Sequence, residues 1–93
     1  MHFFYVLYSL KDHKLYKGFS SHVGQRFQRH HQGATPSTKH RRPLVLIYVE
    51  SFDLVGEARK REAWSKSKEG GPQLKQLLRE KRILDINNKL FHH

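Results

Sequence analysis

The sequence predicts a small α+β domain, a three-stranded antiparallel sheet flanked by helices in the order β-β-α-β-α-α. Three observations predict it. Two apolar runs rich in aromatic and branched side chains, FFYVLYSL at 3–10 and PLVLIYVES at 43–51, are too short for buried helices and read as strands. A polar turn at Lys11, Asp12 and His13 joins the first run to KLYKG at 14–18, which makes a β-hairpin. The segments after each of these carry apolar residues at helical spacing, so helices must cover the sheet.

The elements follow in order. Ser20 or Ser21 can cap a first helix that runs to about Gln32, with Val23 and Phe27 one turn apart on its inner side and Gly33 where it should stop. A basic, polar loop spans 34–42. The third strand, almost continuously apolar, suits the middle of a sheet or a position covered on both faces. From Asp53 to about Lys68 the pattern is helical again: Leu54, Val55, Ala58 and Ser65 share one face, and Glu57 and Arg61 can pair at i,i+4. Gly70-Gly71-Pro72 should end that helix, and Leu74, Leu77 and Leu78 form the packing stripe of a last one at about 73–82. Residues 1–85 are expected to form a single domain and 86–93 a frayed C-terminal tail. With 93 residues there is no room for a second core.

Composition narrows the partner. Eighteen Lys plus Arg against eight Asp plus Glu give a net charge of +10, which points to an anionic polymer. The charge is spread along the chain and no basic amphipathic helix is segregated at one end, which favours nucleic acid over a membrane surface. The absence of cysteine excludes disulfides and thiolate metal sites. No apolar run is long enough to cross a bilayer and the N-terminus lacks the pattern of a secretory signal, so a cytoplasmic location is expected.

Chemistry can reside at a few positions. Glu62 falls inside the apolar stripe of the second helix, and a carboxylate there needs a partner, either a structural Arg or Lys or a hard divalent cation. Arg26 and His30 stand one turn apart beside Val23 and Phe27; they are either a solvated basic face or a phosphate clamp. Tyr5 and Tyr16 emerge on the same face of the sheet if the hairpin turn centres on Lys11-Asp12 or Asp12-His13, two to four residues apart along the ladder. Each could equally be a packed core tyrosine.

These residues carry a resemblance. The hairpin Y-V-L at 5–7 and Y-K-G at 16–18 resembles the paired tripeptides that name the GIY-YIG nucleases. The blocks Q-R-F-Q-R-H-H-Q-G at 25–33, S-T-K-H-R-R-P at 37–43, L-I-Y-V-E at 46–50 and E-A-R-K-R-E at 57–62 are similar in order and spacing to that family's small stand-alone bacterial proteins. By this resemblance Tyr5 and Tyr16 match the two motif tyrosines, Arg26 the helix arginine, His30 the histidine one turn later, and Glu62 the single metal-binding glutamate. Gly18 matches the closing glycine. The chain departs from the pattern where Lys17 replaces the isoleucine of the second tripeptide, where Phe3 and Phe4 replace the leading Gly-Ile, and where Gln73 and Leu74 stand in place of an asparagine used by some members.

The resemblance implies metal-assisted phosphodiester hydrolysis, with Mg²⁺ or Mn²⁺ on Glu62, charge neutralisation by Arg26, and Tyr5, alone or with His30, deprotonating the attacking water. Tyr16 is expected to hydrogen-bond the water or the phosphate. Lys17 or the metal would supply the cation that lowers the Tyr5 pKa. Lys17, Lys39, His40, Arg41 and Arg42 would contact the nucleic-acid backbone, DNA in preference to RNA, without reading sequence.

Overall fold

The structure, a computed structural model, describes residues 1–91. Its elements are β1 (His2–Ser9), β2 (Leu15–Ser20), α1 (Val23–His31), a 3-10 turn (Lys39–Arg41), β3 (Leu44–Phe52), α2 (Val55–Lys66) and α3 (Gly70–Glu80). The three strands form one antiparallel sheet in the spatial order β2-β1-β3. This is the expected α+β architecture and element order.

The central position belongs to β1. Phe4, Val6 and Tyr8 are buried against Leu74 and Leu78 of α3 and against Leu84, while Tyr5 and Leu7 are buried on the other face with Leu44, Tyr16, Val23, Phe27 and Leu46. Alternate residues of one strand therefore serve two cores. The apolar run of β3 had suggested a central strand, but β3 lies at an edge, paired only with β1, and leaves Val49 41% exposed. A bulge between Val6 and Leu7 skips Ile47 in the β1–β3 ladder.

Helix boundaries differ from expectation for identifiable reasons. The residue preceding α1 is His22, not a serine; Ser20 instead accepts the His22 backbone N–H at 2.9 Å and shapes the turn ahead of the helix. The helix stops as expected at Gly33, whose left-handed φ of 79° suits a residue without a Cβ. In α2 the buried stripe begins at Ala58 and includes Ser65, whereas Leu54 and Val55 are 65% and 43% exposed. Glu57 does not pair with Arg61. It reaches back to accept the Leu54 backbone N–H at 3.3 Å, while Arg61 makes a two-pronged bond to Glu50 at 2.7 and 3.0 Å.

Gly70-Gly71-Pro72 opens α3 where the sequence had suggested a helix end. The missing proline N–H is tolerated in a first turn. Ser67 makes the junction by donating its hydroxyl to Trp64 O at 2.6 Å and accepting the Gly70 N–H at 2.9 Å. Residues 85–91 fold back in a turn where fraying was expected, with a Leu84–Leu90 bridge, Asp85 N–H to Lys89 O at 2.7 Å and Arg79 donating to Asn88. The rest of the expected tail, 92–93, lies outside the described residues. Among the described residues no helix is long and apolar enough to cross a membrane.

Candidate active site

The hairpin register is the first determinant of the site. Tyr5 pairs with Gly18 and Leu7 with Tyr16, so the turn centres on Lys11-Asp12 and both tyrosines emerge on the face covered by α1. Gly18 is where the Tyr5 ring lies across the neighbouring strand, since a Cβ at residue 18 would come 2.5 Å from the Tyr5 hydroxyl. Gly18→Ala is therefore expected to displace that hydroxyl and cut any Tyr5-dependent activity about tenfold to a hundredfold with little change in circular dichroism, readable in a rate assay.

Helix α1 adds Arg26 and His30. His30 is fully buried, more deeply than the sheet-edge position its sequence suggested. Its Nε2 lies 3.1 Å from the Tyr5 hydroxyl and its Nδ1 lies 2.7 Å from the Thr38 hydroxyl. The Tyr16 ring meets the His30 ring edge-on at 4.9 Å, so the two tyrosines flank one imidazole.

The charges around Tyr5 follow from this placement. Burial raises its pKa most, the adjacent Arg26 guanidinium pulls it down, and Tyr16 and Glu62 push it up. At neutral pH the phenol keeps its proton, and Arg26 can only donate, so the proton is directed to His30 Nε2. His30 then carries its own proton on Nδ1, toward Thr38. Burial first and Arg26 second lower the His30 pKa, which keeps the imidazole neutral and able to accept.

Glu62 comes from α2. Its side chain is 20% exposed, and Lys66, half exposed, stands 3.5 Å away as an ion-pair partner. A carboxylate so loosely engaged keeps most of its lone pairs available. Among the described residues no three His, Asp or Glu converge as a metal cage. A single loosely paired carboxylate fits a hard divalent cation whose remaining ligands are water and phosphate oxygens.

The structure separates the remaining expected residues. Lys17 pairs with Val6 and so belongs to the opposite face from Tyr5, where its charged neighbours are Lys75, Lys66 and Arg41. The cation that acts on Tyr5 is Arg26, not Lys17. Arg41 is turned inward: it donates to Asp12 Oδ2 at 2.9 Å and to Leu15 O at 3.3 Å, tying the 3-10 turn to the hairpin. That use competes with backbone tracking. Lys39, His40 and Arg42 stay exposed and, with Lys11, His31 and Pro43, line a shallow basic depression.

Arg41 holds the Asp12 carboxyl down at about 2 from its usual 3.8. Because the folded pKa is depressed, the stability it contributes is present above the unfolded value and is lost as pH falls through about 2. Urea titrations of the native chain should therefore show a dip between roughly pH 4 and pH 2 that Asp12→Asn flattens. The pair is a quarter to a third exposed, so solvent screening holds its contribution to about 1 kcal/mol or less.

Sequence reasoning missed Thr38. It is fully buried and fixes His30 from a loop with no periodic pattern; only the 3-10 turn that follows brings it back over α1.

Comparison with known proteins bears on the fold and the family. The GIY-YIG catalytic-domain family model matches residues 1–89. The chain is 36% identical over 89 residues to the UPF0213 protein YazA of Bacillus subtilis, covering 95% of this chain and 80% of that protein. It is 40% identical over 62 residues to the UPF0213 protein SSP2268 of Staphylococcus saprophyticus, covering 66% and 74%. A solution structure of the UPF0213 protein BH0048 from Bacillus halodurans superposes with a TM-score of 0.52 at 30% identity, covering 82% of this chain and 83% of that one. With the family model spanning nearly the whole sequence, the chain belongs to the GIY-YIG catalytic-domain family.

Proposed function

We propose that this protein is a metal-dependent endonuclease that hydrolyses phosphodiester bonds in nucleic acid, with DNA the favoured substrate. The observation that carries the reading is the chain Tyr5–His30–Thr38, three buried side chains linked by hydrogen bonds, with Arg26 beside the phenol. A buried tyrosine in ordinary core packing has no use for a neutral histidine on one side and a guanidinium on the other.

In this reading a water attacks phosphorus and gives its proton to the Tyr5 oxygen as the Tyr5 proton passes to His30 Nε2. His30 becomes an imidazolium whose Nδ1–H is held by Thr38. The P–O bond to the leaving oxygen breaks, and that oxygen takes a proton from solvent. Arg26 neutralises charge that grows on the non-bridging oxygens. Tyr16 braces the imidazole and donates to the phosphate or the water. Glu62 would hold Mg²⁺ or Mn²⁺, which supplies Lewis-acid stabilisation of the phosphate and the leaving group. Lys39, His40 and Arg42 contribute sequence-independent attraction to the backbone, with Arg41 positioning their turn.

The test is cleavage of labelled duplex, branched and single-stranded DNAs, and matching RNAs, with Mg²⁺ or Mn²⁺. Cutting abolished by EDTA supports the proposal. Salt-sensitive binding without cutting on every substrate would replace it with a non-catalytic nucleic-acid-binding module.

A further inference from the structure

The sheet face opposite Tyr5 carries a second gathering of polar side chains that the nuclease reading does not use. His13, Lys14, Leu15 and Lys17 of the first hairpin, Lys75 of α3 and Asn88 of the C-terminal turn line a pocket of about 280 Å³. Three separate parts of the chain converge there.

The lysine and asparagine side chains of this lining present donors. Lys14, Lys17 and Lys75 offer ammonium protons and no acceptor. The buried Tyr8 hydroxyl lies 2.9 Å from His13 Nδ1, which occupies that ring nitrogen and leaves Nε2 as the other polar atom of the ring. Arg79 donates to Asn88 Oδ1 at 2.5 Å, which occupies the acceptor end of the amide and leaves its NH₂ free. No carboxylate lines the pocket; Asp12 holds Arg41, and Asp85 accepts the backbone N–H groups of Asn87 and Lys89.

Lys17 makes the gathering costly. It stands where the family pattern has isoleucine, half-buried on β2, and burial followed by the charges of Lys75, Lys66 and Arg41 lowers its pKa. A desolvated cation among like charges is relieved by a bound anion.

We propose that this pocket is an anion site that binds a phosphate group, separate from the Tyr5–His30 face. Ammonium and amide donors from three directions suit a tetrahedral oxyanion. The phosphate comes either as a free or terminal monoester or as a backbone diester of a second nucleic-acid segment. The site is read by binding and does not rest on the nuclease reading.

The experiment is an NMR titration of the intact chain, in EDTA and at constant ionic strength, with inorganic phosphate and then with short single strands with and without a 5′-phosphate. The expected result is saturable shifts at His13, Lys17, Lys75 and Asn88. Binding should weaken about tenfold or more in Lys17→Met and in Lys75→Met and persist in Lys17→Arg, each variant keeping the native spectrum elsewhere. Preference for phosphate and the 5′-phosphorylated strand identifies a monoester; equal, tighter binding of both strands identifies a diester. Non-saturating shifts, shifts confined to Arg26, His30 and Lys39, or native affinity in both methionine variants would overturn the proposal.

Discussion

Tyr5→Phe is expected to slow cleavage about 10²- to 10⁴-fold while leaving the fold and nucleic-acid affinity close to native. The substitution removes one oxygen and keeps the ring that packs with Leu7, Leu44 and Phe27. Its structural cost is the bond to His30 Nε2, about 1–2 kcal/mol with the imidazole nitrogen left unpaired. Single-turnover rates beside urea unfolding separate the two effects, since a loss of rate far larger than the loss of stability assigns the oxygen to chemistry. The pH profile adds a second readout. His30 must be neutral to accept a proton, and its pKa is lowered from 6.5, so the rate should rise with pH along an acid limb centred below 6.5 and be flat at neutrality. Thr38→Val, which removes the group that holds His30 Nδ1–H, should shift that limb; Thr38→Ser should restore it.

Glu62→Gln is expected to abolish metal-dependent cutting, about a thousandfold or more, because the metal contributes several kcal/mol of transition-state stabilisation. The fold should be indifferent. Helix α2 packs through Ala58 and Ser65, and the lost pair with half-exposed Lys66 contributes a few tenths of a kcal/mol at most. Affinity for duplex in the absence of metal should stay level or rise slightly, since a negative charge leaves a basic surface; fluorescence anisotropy reads this directly.

Much of this site was legible before any coordinates. The hairpin turn left two centres open, Lys11-Asp12 and Asp12-His13; the structure adopts the first, and that register places Tyr5 and Tyr16 on one face. The i,i+4 spacing of Arg26 and His30 puts both beside Val23 and Phe27. What could not be read were long-range assignments. The apolar content of β1 and β3 is similar, and only the packing of two cores decides that β1 is central. Arg41 and Arg42 are adjacent basic residues in one loop, yet one closes onto Asp12 while the other, in extended backbone just past the 3-10 turn, stays exposed and donates to the Lys39 and His31 carbonyls. Lys17 reads as part of the motif, but strand alternation sends it to the far face. Thr38 belongs to the S-T-K-H-R-R-P block, but its local pattern assigns it no role, since that role depends on a loop folding back over a helix.

The most direct test of the account is a side-by-side measurement on one labelled duplex: single-turnover cleavage with Mg²⁺ or Mn²⁺, and equilibrium binding in EDTA, for the native chain, Glu62→Gln and Tyr5→Phe. The account predicts near-native binding by all three, with cleavage slowed about 10²- to 10⁴-fold in Tyr5→Phe and about a thousandfold or more in Glu62→Gln. Native-rate cutting by either variant, or no cutting by the native chain on a substrate that it binds, would contradict it.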